Sequence, residues 1–379
     1  INANFGVFGR RFQPISQGYI FDDLPDTSGS KKILQYFEYG GYVQLSKSFF
    51  ENKLALLGSF RLDKSQNYNF QFSPRFAIMM NFRNHHLRVA VQSAFRSPTL
   101  NDQYFNLNTG ALVVKGNLDG YSNVYTQNSV DRYLADAPPL RNPANLQTIV
   151  LPAVKPENLI SVELGYRTFL FKKLVIDVDA YYNRYNNFIA NINLAQPKAG
   201  TAGDSTGVSN INIRNFTTLS VPLNATTPVN TYGAAISVRY NVWKSLNIYT
   251  NYTFTFLDTA KIADDLIPGF NTPTHRINVG IEATKLWKGL GFGVNFRWVD
   301  GYNWRSPFTD RAARLNGIAQ TVVPAYHTLD LQLNYAIDRI YSTIRVGASN
   351  IYNNKHIEMY GGAQIGGFYY ASWNFTLPL

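Results

Sequence analysis

The 379-residue sequence contains no cysteine, few charged residues and no long apolar run. Without cysteine, the chain can form neither a disulfide framework nor a thiolate metal site. Charged residues make up 16% of the chain, whereas average soluble domains have about a quarter. No window holds the roughly 18 consecutive apolar residues that a transmembrane helix needs, which excludes a helical membrane protein.

Aromatic residues, in contrast, are abundant and reach 15% of the chain. Apolar and polar side chains alternate from Tyr326 to Asn350 and again from Phe368 to Leu377. A period of two predicts β-strands. The polar face is too rich in amides, hydroxyls and charges to be half of a dry sandwich core. The apolar face ends in aromatics and suits lipid, so the pattern predicts a transmembrane β-barrel.

The same alternation recurs along the chain, and its connections alternate in length. Short turns near positions 50, 84, 172, 244, 288 and 338 are separated by longer, polar segments. Outer-membrane barrels have short periplasmic turns and long extracellular loops. We therefore expect an all-β, antiparallel up-and-down barrel of about 14 strands over residues 1–379. Its C-terminus is expected in the periplasm. The expected extracellular loops are about 13–35, 97–156, 186–230, 257–274, 300–323 and 352–366.

The charge distribution bears on the partners of the chain. Its formal net charge is +11, but the basic residues are scattered and form no run of five, so nucleic-acid binding is not expected. Outer-membrane lipid and anionic lipopolysaccharide are the expected surroundings. We find no nucleotide-binding glycine motif and no Ser-His-Asp arrangement, and the histidines lack metal-ligand spacing. We therefore expect no enzyme, no catalytic residue, no metal site and no cofactor.

Two groups of residues are candidates for ligand binding. Asp177, Asp179 and Arg239 are expected on lumenal strand faces, because a one-residue slip would turn both carboxylates toward lipid. The second group lies in long loops and could stack on a solute or hold it: Tyr104, Phe105, Tyr121, Tyr125, Tyr302, Trp304 and Arg305. The plain alternative is that the aromatics pack the loops or form the interfacial girdle. In that alternative the carboxylates are hydrated groups of the lumen or form ion pairs with Arg167 or Arg239.

Four segments, in this order and at this spacing, resemble TonB-dependent outer-membrane receptors. In that family a Phe-Arg-x-Pro-type sequence followed by an acidic or amide residue ends a strand and opens a loop. The segments are Ala94–Asp102, which contains Phe-Arg-Ser-Pro; Lys155–Tyr166; Pro273–Arg276; and Val346–Lys355, which is similar to the Asn-Leu-Phe-Asp-x-Lys segment before the last strand. The loops also resemble those of Bacteroidota members.

The resemblance implies a larger protein. Family members have an N-terminal plug domain and a TonB box with a 22-stranded barrel, and we find neither here. The chain also begins at Ile1 without an initiator methionine, so either a signal was removed or the chain is part of a longer polypeptide. We expect the C-terminal part of such a barrel, with the plug upstream.

By this resemblance the protein lies in the bacterial outer membrane and takes up a scarce or bulky solute, such as a siderophore, glycan or peptide. TonB is an expected partner through the missing N-terminal region, and a surface lipoprotein is a further candidate partner. Two alternatives stay open: a complete 14-stranded passive channel, or a barrel subunit of a larger surface complex. What precedes Ile1 distinguishes the first, and co-purification with stable partners distinguishes the second.

Overall fold

The computed structural model describes residues 1–23, 33–243, 245–260, 266–305 and 321–376. Parts of three expected loops, 24–32, 261–265 and 306–320, lie outside the described residues, as do the turn position 244 and Leu377. The described chain forms one 14-stranded sheet, a second sheet built from the long connections and a small two-stranded sheet.

The 14-stranded sheet, which we call the wall, has its strands in chain order, each antiparallel to its neighbours. The expected all-β fold with about 14 antiparallel strands is therefore confirmed. With all strands numbered along the chain, the wall contains β1 (Asn2–Phe12), β2 (Tyr36–Phe49), β3 (Leu54–Ser65), β4 (Tyr68–Phe82), β5 (His85–Arg96), β10 (Glu157–Leu170), β11 (Leu174–Asn186), β14 (Val229–Trp243), β15 (Leu246–Asp258), β17 (His275–Trp287), β18 (Leu290–Val299), β21 (Tyr326–Ile337), β22 (Ser342–Ser349) and β23 (Phe368–Phe375).

Among the described residues, large side chains on the apolar face of the wall are exposed and form no core cluster of their own. Leu333 is 58% exposed, Phe5 82% and Trp373 71%. Such a surface would drive aggregation in water, whereas lipid solvates it in a transmembrane barrel.

On the polar face, tyrosines lie across glycines of the neighbouring strand. Tyr249 is the register partner of Gly280, and a Cβ atom at Gly280 would come within 2.1 Å of the Tyr249 Cζ atom. The aromatic ring covers the bare backbone of the glycine and fixes the register of the two strands. The same pairing joins Tyr42 to Gly6, Tyr181 to Gly233, and Tyr370 to Gly347.

The two longest connections, 97–156 and 187–228, fold together with residues 266–267 of a third connection into a unit that we call the loop domain. Its elements are α1 (Leu100–Tyr104), β6 (Asn106–Asn108), β7 (Val113–Lys115), β8 (Tyr121–Thr126), α2 (Gln127–Ala135), 3-10 turns at Pro138–Leu140 and Pro143–Asn145, β9 (Thr148–Leu151), β12 (Ile189–Pro197), α3 (Ser205–Asn212), β13 (Phe216–Asn224) and β16 (Leu266–Ile267). The order of its sheet is β6-β7-β13-β12-β8-β9, with β16 also paired to β12. Outside it lie β19 (Tyr302–Asn303), which pairs with β20 (Val322–Val323), and a 3-10 turn at Asp338–Ile340. None of the helices in the described ranges is long and apolar enough to cross a membrane.

Most of the buried apolar side chains among the described residues belong to the loop domain. Leu194 and Leu219, on neighbouring strands, are at most 1% exposed and form one cluster. Val130, Tyr133 and Ile211, from the two longer helices, form a second cluster. The hydrophobic effect thus stabilises the loop domain in water, while the wall, whose apolar face is exposed, is held together by its strand pairing.

The loop domain continues directly from a wall hairpin. Strands β11 and β14 pair as far as Tyr185 and Val229, and β12 and β13 resume pairing at Ile189 and Asn224. Between them Asn187 has a φ of 56°, a left-handed conformation in which asparagine is enriched. Because of this bend, one long hairpin contributes strands to both the wall and the loop domain.

Candidate functional site

Two of the segments that carry the family resemblance meet where the wall joins the loop domain. Glu157, the first residue of β10, is the register partner of Arg96, the last residue of β5. Arg96 Nη2 donates a hydrogen bond to Glu157 Oε2 at 3.0 Å, and the same oxygen accepts the Ile189 amide at 2.8 Å. The Glu157 residue is only 4% exposed. One buried carboxylate therefore ties two wall strands to the first residue of β12.

The residues after Arg96 explain why an acidic residue follows the Phe-Arg-x-Pro pattern. Thr99 is the N-cap of α1, and its hydroxyl accepts the Asp102 amide at 3.1 Å. Asp102 Oδ2 in turn accepts the Thr99 amide at 2.8 Å. This reciprocal capping box fixes the direction in which the chain enters the loop domain.

A cavity of about 530 Å³ lies at this junction. It has a charged side and an aromatic side, since residues of the wall and of the loop domain both line it. Its charged lining residues are Arg96, Asp102 and Glu157, and its aromatic ones are Phe95, Tyr185, Phe188 and Phe270.

A second cavity, of about 430 Å³, also borders Phe270 and is therefore its neighbour. Among its described lining residues Arg305 is the one charged group. The Arg305 backbone is fixed by Asn271, whose side chain accepts the Arg305 amide at 2.8 Å and donates to its carbonyl oxygen at 2.9 Å. The other polar lining residues are Thr255, Thr259, Thr272, Thr274, Tyr302 and Asn303.

The structure thus brings two predicted site residues, Tyr302 and Arg305, onto one cavity. The Tyr302 hydroxyl donates to the Glu358 carbonyl oxygen at 2.6 Å, and burial raises the pKa of Tyr302. Trp304 lies between them in sequence, and its amide donates to the Thr321 carbonyl oxygen at 2.8 Å. The Thr321 hydroxyl donates back to the Trp304 carbonyl oxygen. A ligand role of these three residues stays a prediction.

Tyr104 and Phe105 lie where α1 ends, away from the second cavity. The Tyr104 hydroxyl accepts Asn67 Nδ2 at 2.7 Å, and burial raises the pKa of Tyr104. Phe105 forms an isolated β-bridge with Phe21. Both residues thus join the loop domain to neighbouring segments, which is the packing role of the plain alternative.

Tyr121 and Tyr125 belong to β8. The Tyr121 hydroxyl donates to the Gly116 carbonyl oxygen at 2.7 Å, and burial raises the pKa of Tyr121 to about 12. Tyr125 is 0% exposed, and its hydroxyl accepts the Gly203 amide at 2.5 Å. Tyr125 therefore lies in the core of the loop domain, and a ligand role for it stays a prediction.

The predicted lumenal carboxylates lie on the polar wall face and are engaged in ion pairs. Asp177 Oδ2 is 2.8 Å from Arg167 Nε, as the plain alternative expected. Asp179 Oδ1 is 3.5 Å from Arg88 Nη2. Neither carboxylate pairs with Arg239.

Arg88 reaches Asp179 across an intervening strand, and Gly165 makes this possible. A Cβ atom at Gly165 would lie 2.8 Å from Asp179 Oδ1. Arg88 is also 3.7 Å from the Glu163 carboxylate. Sequence reasoning missed Arg88 and Glu163, although their alternation in β5 and β10 already placed them on the polar face.

Arg239, the third predicted lumenal residue, pairs with Glu282 of β17 at 3.0 Å. It lies over the Tyr249 ring, 5.4 Å from its centroid. The predicted site residues therefore form three separate groups: the cavity group, the loop-domain aromatics and the ion pairs of the wall.

The chain was compared with models of known protein families and with curated proteins. The family model described as TonB dependent receptor-like, beta-barrel matches residues 1–353. No curated protein matches the chain. Bacteroidota origin stays a prediction.

Several solved structures share the fold at low identity. The siderophore receptor PirA from Acinetobacter baumannii is 15% identical, with a TM-score of 0.63 over 98% of this chain and 51% of that one. The FrpB iron transporter from Neisseria meningitidis is 12% identical, with a TM-score of 0.64 over 98% and 52%. A mutant of the ferric enterobactin receptor PfeA from Pseudomonas aeruginosa is 13% identical, with a TM-score of 0.65 over 97% and 50%. The chain thus spans about half the length of these structures.

Proposed function

The chain belongs to the TonB-dependent receptor β-barrel family, and from this premise we propose that it is the C-terminal part of a plugged barrel that imports a scarce or bulky solute across the bacterial outer membrane. Its coverage of about half of each solved relative supports this proposal. So do the two edge strands, β1 and β23, because within the described residues each pairs with one wall strand only. The remaining strands of a 22-stranded barrel would complete the wall at these edges.

The loop domain is the observation that carries the receptor role. The two longest connections leave the same end of the wall, fold around a common core and border two cavities. A surface unit of this size, held by the buried Glu157, suits capture of a solute that is too large for a simple pore. In this proposal the loop domain is extracellular and the C-terminus is periplasmic.

The first candidate solute is a ferric chelate. Solved structures that share the fold are named as siderophore receptors and iron transporters. In our proposal a plug upstream of this chain closes the lumen until TonB remodels it, and the loops hold the solute meanwhile. Glycans and peptides are the other solutes to be tested.

The remaining proposed partners contact the outer surfaces. The exposed apolar wall face would meet lipid, and lipopolysaccharide would surround its outer rim. A surface lipoprotein would find exposed apolar side chains on the loop domain, where Leu140 is 73% and Ile213 70% exposed. Co-purification of a lipoprotein with the native protein, lost in the Leu140→Ser/Ile213→Ser variant, would support this partner; an unchanged complex would exclude this surface.

Uptake of radioactive iron by iron-starved cells that carry the full-length protein tests the proposed import. Tyr302→Ala with Arg305→Ala, on the second cavity, should lower uptake severalfold at equal surface abundance. A matched control removes the Lys285–Asp338 ion pair, 2.8 Å long, at a short turn on the opposite end of the wall. Loss of uptake in the control with full uptake in the cavity variant would contradict the proposal.

A further inference from the structure

Ion pairs neutralise much of the charge on the polar wall face. Most of its carboxylates lie close to arginines of the same strand, of a neighbouring strand or of the next strand but one. The pairs include Arg10–Glu38 at 3.4 Å, Arg61–Asp63 at 2.7 Å, Arg96–Glu157 at 3.0 Å, Arg167–Asp177 at 2.8 Å and Arg239–Glu282 at 3.0 Å.

Arg276 of β17 and Arg297 of β18 depart from this arrangement. Neither forms an ion pair within the described ranges, although both lie on the polar face. Arg276 is the register partner of Val299, and Arg297 lies two residues before Val299 on the same strand. Diagonal positions of this kind are about 7–8 Å apart at their Cα atoms, so the two long side chains project into the same part of the lumen. Two like charges at this spacing repel each other.

Two carboxylates of the neighbouring segments, Asp330 and Glu358, are engaged elsewhere. Asp330 lies two residues from Thr328, the register partner of Arg297. Its Oδ1 atom accepts the Ser349 hydroxyl and the Asn350 amide, both at 2.8 Å. Glu358 accepts the Tyr326 hydroxyl at 3.2 Å. Within the described part of the chain, neither carboxylate comes within ion-pair distance of the two arginines.

The arginine pair lies close in sequence to two residues that line the second cavity. Thr274 precedes Arg276 by two residues, and Gly301 follows Val299 by two, so both continue the same strand faces. Thr274 and Gly301 line the cavity that also contains Arg305. Arg276 therefore lies on the same strand face as Thr274, which lines this cavity together with Arg305, and Arg297 lies diagonally opposite Arg276.

We propose that Arg305, Arg276 and Arg297 form a path that binds carboxylate or other oxyanion groups of the transported solute as it passes from the loop cavity into the lumen. Guanidinium groups bind such oxyanions in bidentate geometry. A bound anion would also remove the repulsion between Arg276 and Arg297. This inference rests on the proposed import function and specifies the charge of the solute.

Binding of citrate to the detergent-solubilised full-length receptor, measured by calorimetry, tests this path. Trimethyl citrate has the same skeleton without the charge and serves as the ligand control. Arg75→Gln is the matched variant, since Arg75 also lies unpaired on the polar face among the described residues, but on β4. We expect citrate to bind, the ester to bind at least tenfold more weakly, and Arg276→Gln and Arg297→Gln each to weaken citrate binding about tenfold.

Three results would overturn the inference. The first is equal binding of citrate and its ester, or no citrate binding. The second is an equal loss in Arg75→Gln, which would indicate only a general basic field. The third is unchanged citrate affinity together with faster proteolysis of the plug in Arg276→Gln/Arg297→Gln, which would assign the arginines to the plug. Citrate binding in the expected pattern without iron uptake by cells would refute the ferric-chelate proposal alone.

Discussion

Glu157 gives the sharpest test of how the loop domain is attached to the wall. Glu157→Ala removes the acceptor of the buried Ile189 amide and the partner of Arg96. Leaving a buried donor unsatisfied costs about 1–3 kcal/mol. The Arg96 side chain is 48% exposed, so its ion pair is screened by solvent and contributes at most about 1 kcal/mol more.

We therefore expect Glu157→Ala to lower the free energy of opening of β12 by about 2–3 kcal/mol. At about 1.4 kcal/mol per tenfold, hydrogen exchange in that strand should accelerate about 30- to 150-fold. Glu157→Gln is the matched control, because its neutral amide oxygen can still accept the Ile189 amide. Its cost should be about 1 kcal/mol, or roughly fivefold in exchange.

The assay is hydrogen exchange by mass spectrometry on the full-length receptor. A peptide that covers Ile189–Pro197 reports on β12, and one that covers Tyr326–Ile337 reports on a distant part of the wall. The expected change is confined to the first peptide. Unchanged exchange in β12 would refute the attachment role of Glu157, and so would equal acceleration by the Gln and Ala variants.

Further predictions concern the wall, an acidic turn and the core of the loop domain. Gly280→Ala should destabilise the wall by about 1–3 kcal/mol through overpacking. Gly293→Ala is the control, because nothing lies within 4 Å of its added Cβ atom, and it should leave the thermal unfolding midpoint in micelles unchanged. Equal unfolding midpoints for the two variants would contradict this prediction. Backbone amides, first that of Ser16, lower the pKa of Asp23 to about 2. Because this pKa lies below its unfolded value, the Asp23 carboxylate stabilises the turn fully above about pH 4, and this stabilisation is lost as the pH falls through about 2. Hydrogen exchange of the turn amides should show that transition in the native protein and no such transition in Asp23→Asn. Tyr125→Phe should destabilise the loop domain by about 1–2 kcal/mol, since it removes a buried acceptor; a loss of solute affinity at full stability would instead assign Tyr125 a ligand role.

The wall could be predicted from the sequence because each strand obeys one simple rule. Residues such as Leu331 and Gln332 lie alternately on the apolar face and on the polar face of the wall. Apolar and polar residues therefore alternate with a period of two along the sequence. The ion pair of Asp177 with Arg167 follows from the same rule. Arg88 with Asp179 was missed, because that pair crosses an intervening strand and depends on the absence of a side chain at Gly165.

The loop domain could not be predicted in the same way. Strand β12 is buried on both faces, so its sequence, Ile189–Pro197, mixes asparagine with apolar residues and does not alternate. Its neighbours β8 and β13 come from distant parts of the chain, and single-sequence patterns do not encode such pairings. The cavity that joins Tyr302 to Arg305 is likewise lined by separate segments, within 255–259, 266–274 and 301–305. The resemblance segments did indicate the junction, since Arg96 and Glu157 stand in two of them.

The intact mass of the native polypeptide, combined with mapping of its N-terminal peptides, tests the central claim most directly. This chain has a mass of 42.8 kDa, and the solved relatives are about twice its length. Our account predicts a mass roughly twice that of this chain, with plug-domain peptides upstream of Ile1. A native mass of 42.8 kDa would contradict it and favour a self-contained passive channel.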